Sequence, residues 1–242
     1  MVPFAEIREI AAKRKGGDEV LASLLRAVPD NEALSQIPDS RILAEMTRRI
    51  FSAGFVWRVI EVKWPGFEEA FLEFKPERLV FQPDEYWDGL AKDTRIVRNA
   101  QKIAAVRHNA HFVRDIADEH GSFGRFLADW PSRDLVGLLD VLAKRGSRLG
   151  GHTGQYFLRF VGKDGFVASK DVVACLRSVG VEIAERPTSK RDLKRVQEQF
   201  NAWAEETGLP LTHLSRICAM SIGENYDLET LRGHGVVEAG SA

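Results

Sequence analysis

Only two cysteines, Cys175 and Cys218, occur in the 242 residues, and neither has a second Cys or a His at metal-ligand spacing. No zinc, no other metal and no disulfide are therefore expected, and both thiols are expected to lie buried in apolar helical patterns. Any uninterrupted apolar run of 18 residues is lacking too, which excludes a membrane-spanning helix. The opening stretch, MVPFAEIREIAAKRKGG, has no long apolar core of the signal-peptide kind, so a cytoplasmic address is expected. Net charge is nearly nil, at −1, which argues against a protein that coats polyanions. Internal repeats and low-complexity tracts are absent, and alternating strand patterns almost so.

What is present is helical grammar. Residues 4–14 and 18–27 read as short helices parted by Gly16 and Gly17. Asp39 or Ser40, after Pro38, caps a run whose apolar stripe is Ile42, Leu43, Met46, Ile50 and Phe51. Gly54 interrupts that run, and a second one from Phe55 to Trp64 is expected to stop at Pro65, with a further turn over Phe67 to Phe71. Pro76 and Pro83 suit the first turns of two short helices. Thr94 is expected to cap a long helix from Arg95 to His120, closed by Gly121. Ser169 opens a helix from Asp171 to Val179, and Ser189 with Asp192 resembles a capping box before a long run that Gly208 and Pro210 end. The fold class is all-α, with one helical domain over residues 1–222, a closing helical pair at 187–222, and a loosely ordered tail at 223–242.

Positive charge is bunched in two places despite the balanced total. Arg95, Arg98 and Lys102 would share one stripe of the expected helix, beside Arg107, His108, His111 and Arg114. The other bunch surrounds a glycine turn in RGSRLGGHTGQYFLRFVGKDGFVASKDVV, residues 145–173. Gly150 and Gly151 permit positive φ and bare N–H groups, and the next helix offers its positive end at the same place. With Arg145, Arg148, His152, Lys163 and Lys170 nearby, the turn suits a nucleic-acid phosphate. A plain connection between two helices fits the same glycines, and the segment alone leaves both readings open.

Four strings occur in order: MTRRIFSAGFVWRVIEVKWPGFEEAF, FKPERL, DTRIVRNAQKIAAVRHNAHF and LLDVLAKRGSRLGGHTGQYFLRFVG. Together they resemble the DNA-3-methyladenine glycosylase I family, one of the helix-hairpin-helix DNA glycosylases. The likeness runs over about residues 38–176. It implies a multi-helix glycosylase fold and an enzyme of base-excision repair. That enzyme flips alkylated adenine out of duplex DNA and hydrolyses its N-glycosidic bond, with no cofactor and no obligate protein partner. It also implies that Trp57 stacks on the flipped base, with Ala53, Gly54, Phe55 and Arg49 beside it. DNA contacts then fall to Arg98, Lys102 and Asn109 on the central helix and to Arg148, Gly150, Gly151, His152, Thr153 and Gly154 at the hairpin.

Three departures from the family stand out. Its base-contacting glutamate aligns with Arg49, its structural zinc ligands have no counterparts, and its N-terminal pocket tyrosine has no partner. The chain thus reads as a divergent, zinc-free branch. Cleavage needs a carboxylate to stabilise a cationic sugar or to activate water. Across helix-hairpin-helix glycosylases that acid lies about twenty residues past the hairpin glycine, which points to Asp171; helix N-terminal charge compensation accounts for Asp171 equally well. Glu45, one turn from Arg49, is the second candidate, against a plain salt bridge. Arg49 in place of the acid also suits a different class of protein, a catalytically inactive paralogue that binds DNA and recognises lesions.

Overall fold

The computed structural model describes residues 2–54 and 56–227. Its α-helices run in chain order as α1 (Phe4–Lys15), α2 (Asp18–Ser23), α3 (Asn31–Ser35), α4 (Asp39–Ser52), α5 (Trp57–Ala70), α6 (Pro76–Leu79) and α7 (Asp84–Leu90). They continue as α8 (Ala100–His120), α9 (Phe123–Asp129), α10 (Leu135–Arg145), α11 (Gly151–Val161), α12 (Lys170–Ser178), α13 (Lys190–Thr207) and α14 (Leu211–Ser221). No strand occurs among the described residues, so the expected all-α class holds. None of the described helices is long and apolar enough to cross a membrane.

The described residues form two compact units, one within residues 29–165 and one within residues 2–28 and 166–227. In the first, α4 is central. Ile42, Leu43, Met46, Ile50 and Phe51 are buried on one face, and α8, α9, α11 and α5 pack around it. Burying such side chains stabilises by about 1.5–3 kcal/mol each. The start of α4 is fixed to α9, because the Phe123 N–H donates to Asp39 Oδ1 at 2.8 Å.

Three sequence expectations fail here for identifiable reasons. The cap position of α4 is Pro38 rather than Asp39 or Ser40, and the Asp39 carboxylate serves the Phe123 N–H instead. α5 does not stop at Pro65 but runs through it to Ala70. Proline's fixed φ is helical and forfeits one backbone hydrogen bond. Trp64 stacks on Phe67 (5.4 Å) and Phe74 (5.3 Å), which holds both halves of the helix on one aromatic core. α8 begins at Ala100 rather than Arg95, since Asn99 Oδ1 accepts from the Lys102 N–H at 3.0 Å and caps it. The Arg95 N–H and guanidinium are meanwhile tied to the Asp93 carboxylate. Arg95, Arg98 and Lys102 therefore share no helical stripe.

The second unit packs α1, α12 and α13 against α14. Trp203, Phe4, Phe200 and Phe166 are buried there, with Phe166 stacked on Phe200 at 5.1 Å. Cys175 and Cys218 are both buried and free. Ser169 and Ser189 cap α12 and α13 by accepting from the N–H groups of Val172 and Asp192, as their sequence positions suggest. Residues 228–242, most of the expected tail, lie outside the described residues.

Candidate DNA-binding and base-excision site

α10 ends at Arg145, and α11 begins at Gly151. The turn between them is tied down from α8. Asn109 Oδ1 accepts from the Ser147 N–H at 2.7 Å, and its Nδ2 donates to the Ser147 carbonyl at 3.1 Å. His108 Nε2 lies 2.8 Å from the Arg145 carbonyl oxygen, which calls for the tautomer protonated at Nε2. Arg145 makes a paired contact with Glu119 at 2.6 and 2.8 Å. Beneath the turn, Gly154 meets the Leu149 carbonyl so closely that an added Cβ would stand 2.3 Å from the oxygen. Arg148 and Gly151 adopt φ of 59° and 57°, left-handed backbone that glycine tolerates and arginine rarely takes.

Arg148, Gly150, Gly151 and His152 are exposed at the crest. Between this crest, the end of α4 and the start of α8 is a pocket of about 330 Å³, lined by Ile50, Ala53, Lys102, Arg148, Gly150 and Thr153. That volume falls at the small end of ligand sites. Lys102 is buried, and its Nζ donates to the carbonyls of Phe51 (3.0 Å) and Ala53 (2.8 Å). A cation closing the C-terminal carbonyls of α4 suits the helix dipole. Burial, and then the Arg148 charge, push the Lys102 amine below its ordinary value. Arg148 Nη2 donates to Gln101 Oε1.

Five residues named from sequence thus meet at the pocket: Ala53, Lys102, Arg148, Gly150 and Thr153. Ile50 joins them unforeseen, because its place in the apolar stripe of α4 reads as core. Gly54 has φ 71° and is exposed beside Ala53. Phe55 lies outside the described residues. Trp57 is the first residue of α5 and half exposed, at 50%, and it is not among the residues lining the pocket. Arg98 is exposed in the segment before α8.

Asn109, Gly154 and Lys163 are placed differently from their expected roles. Asn109 is fully buried, so it positions the turn and cannot itself touch DNA. Gly154 is buried as well and serves the close approach to Leu149. Lys163, expected among the cations around the turn, is buried with its Nζ donating to the Trp130 carbonyl. Glu45 and Arg49 pair along α4, with Arg49 Nε 2.7 Å from Glu45 Oε1 but without the alignment of a hydrogen bond. Arg49 also lies over the Phe160 ring at 4.0 Å. Burial pushes the Glu45 carboxyl above its ordinary range, and the charges of Arg49 and Arg48 pull it back only in part. Asp171 belongs to the other unit, in the first turn of α12 behind the Ser169 cap. Among the described residues, no group of three or more His, Cys, Asp or Glu side chains could hold a metal.

Residues 33–136 match the methyladenine glycosylase family. This stretch holds α4, α5 and α8. No curated protein matches the chain. Among solved structures, 3-methyladenine DNA glycosylase I from Staphylococcus aureus is 25% identical. The alignment covers 52% of this chain and 77% of that one with a TM-score of 0.46. The 8-oxoguanine glycosylase/lyase of Methanocaldococcus jannaschii, solved with a 15mer DNA containing 8-oxoguanine, is 14% identical. It covers 88% of this chain and 95% of its own, with a TM-score of 0.51. That second likeness is one of fold, and it extends beyond residues 33–136.

Proposed function

We propose that the protein is a DNA glycosylase that removes 3-methyladenine from duplex DNA by hydrolysing its N-glycosidic bond. The match of residues 33–136 to the methyladenine glycosylase family carries this reading. The pocket between the end of α4 and the glycine turn supports it, because base excision needs a recess beside a backbone-gripping element.

Extrusion of the base costs a few kcal/mol and is easiest for a damaged one. The exposed backbone at Gly150 and Gly151, with the Arg148 guanidinium beside it, suits a phosphate, and such contacts position the protein without reading sequence. Trp57 is the proposed stacking face. What supports it is the half-exposed indole four residues past Ala53 in the pocket wall. A methylated adenine is cationic, so stacking on an indole gains up to about 2 kcal/mol.

The bond from C1′ to the base then breaks, its electron pair leaves with the now neutral methyladenine, and water adds to C1′ with loss of a proton. Asp171 is the carboxylate we assign to the cationic sugar, on its spacing of twenty residues from Gly151. Glu45 is held by Arg49, so it enters as the partner of that cation. Incubation with methylated duplex DNA, followed by detection of free 3-methyladenine and abasic sites, tests the proposal. Tight duplex binding with no base release would favour the inactive lesion-recognition paralogue, for which Arg49 in place of an acid is the supporting feature.

A further inference from the structure

We infer that the start of α13 carries a second DNA-backbone contact, outside residues 33–136, and this inference rests on the proposed action on duplex DNA. Arg186, Lys190, Arg191, Lys194 and Arg195 are all exposed. Between residues 186 and 195 the single acid is Asp192, which is buried, so the exposed side-chain charge of this stretch is positive. Glu182, Glu185 and Glu198 flank the stretch and are exposed; Glu185 pairs with Arg177 at 3.4 Å, and Glu198 stands one helical turn past Lys194. Asp192 stands 3.9 Å from Arg191. Arg195 donates to the Glu182 carbonyl. In a chain whose net charge is −1, such a concentration is local and complements a polyanion.

A solvated face is the bland explanation for charged helix residues, and the placement of these cations argues against it. Lys190 and Arg191 occupy the first turn of α13, where the helix dipole disfavours positive charge. The one acid of that turn, Asp192, is buried, whereas a surface shaped for stability alone would expose acids there. Cations retained against the local field suit a partner that brings its own negative charge, and the phosphates of a duplex supply it in register along the helix.

The experiment compares the full chain with Lys190→Glu/Arg191→Glu. It measures binding to an undamaged duplex across a salt series, thermal unfolding, and single-turnover release of 3-methyladenine at saturating protein. A Lys13→Glu/Lys92→Glu variant makes the same change in net charge at exposed positions elsewhere. The α13 variant is expected to unfold at a higher temperature yet bind the duplex about tenfold more weakly. Its slope of log affinity against log salt should be shallower by about two, with release at saturation unchanged. Binding equal to wild type, or an equal loss in the Lys13/Lys92 variant, would overturn the inference and leave the glycosylase reading standing. A wild-type chain that binds no duplex would overturn both.

Discussion

Asn109 holds Ser147 by both of its backbone polar groups, at 2.7 and 3.1 Å, and through that one residue α8 fixes the turn that leads into α11. An unpartnered buried polar group costs about 1–3 kcal/mol. Asn109→Leu should therefore lower stability by roughly 3 kcal/mol, seen as a fall in the urea midpoint. Duplex binding should weaken alike for damaged and undamaged DNA. Stability lost with binding intact would mean that the turn grips nothing.

The two ends of the glycine turn should respond differently to substitution. Gly154→Ala sets a Cβ against the Leu149 carbonyl and should destabilise the unit. Gly151 has open space where a Cβ would go, so Gly151→Leu should cost about 1–2 kcal/mol of left-handed strain while blocking close backbone approach. Binding to every duplex should fall in fluorescence anisotropy. An effect confined to lesion-bearing duplexes would contradict a phosphate-holding role.

Stability should depend on pH through Glu45. Its carboxyl is raised above 4.5 in the folded protein by burial, so the folded state binds the proton more tightly than the unfolded chain. Stability from this group is greatest below pH 4.5 and declines as pH rises through the raised value. Glu119, lowered by its hydrogen bonds from Arg145, contributes in the opposite sense: its share is present above pH 4.5 and lost as pH falls through the depressed value. Urea midpoints of wild type and Glu45→Gln between pH 8 and 4 should differ by an amount that changes as the pH falls. A gap independent of pH would refute the assignment. At neutral pH, loss of one partner from the buried pair should cost about 3–5 kcal/mol. Glu45→Leu with Arg49→Met should be close to neutral.

Much of the fold was legible because caps and breakers speak locally. Ser169, Ser189, Gly121 and Gly208 end or begin helices where their chemistry says they should. Pro65 and Thr94 misled because other contacts win: an aromatic stack that includes Phe74 in one case, and the Asp93–Arg95 tie with the Asn99 cap in the other. At the site, sequence spacing separates polar from apolar but not buried polar from exposed polar. Asn109 and Lys163 therefore read as surface groups although the chain folds over them, and Ile50, which reads as core and is buried, also lines the pocket.

Asp171→Asn should slow base release while leaving duplex affinity unchanged. If Asp171 only compensates the start of α12, the substitution should shift stability by about 0.3–1 kcal/mol and leave single-turnover release untouched.

Trp57 offers the most direct measurement. Half exposed at the start of α5, it contributes little to the core, so Trp57→Ala should leave the urea midpoint almost unchanged. Removal of a stacking gain of about 2 kcal/mol should slow single-turnover release of 3-methyladenine from methylated duplex DNA by about thirtyfold, with Trp57→Phe recovering part of the rate. A wild-type chain that releases no 3-methyladenine, or a Trp57→Ala variant that releases it at the full rate, would contradict the excision site assigned to this face.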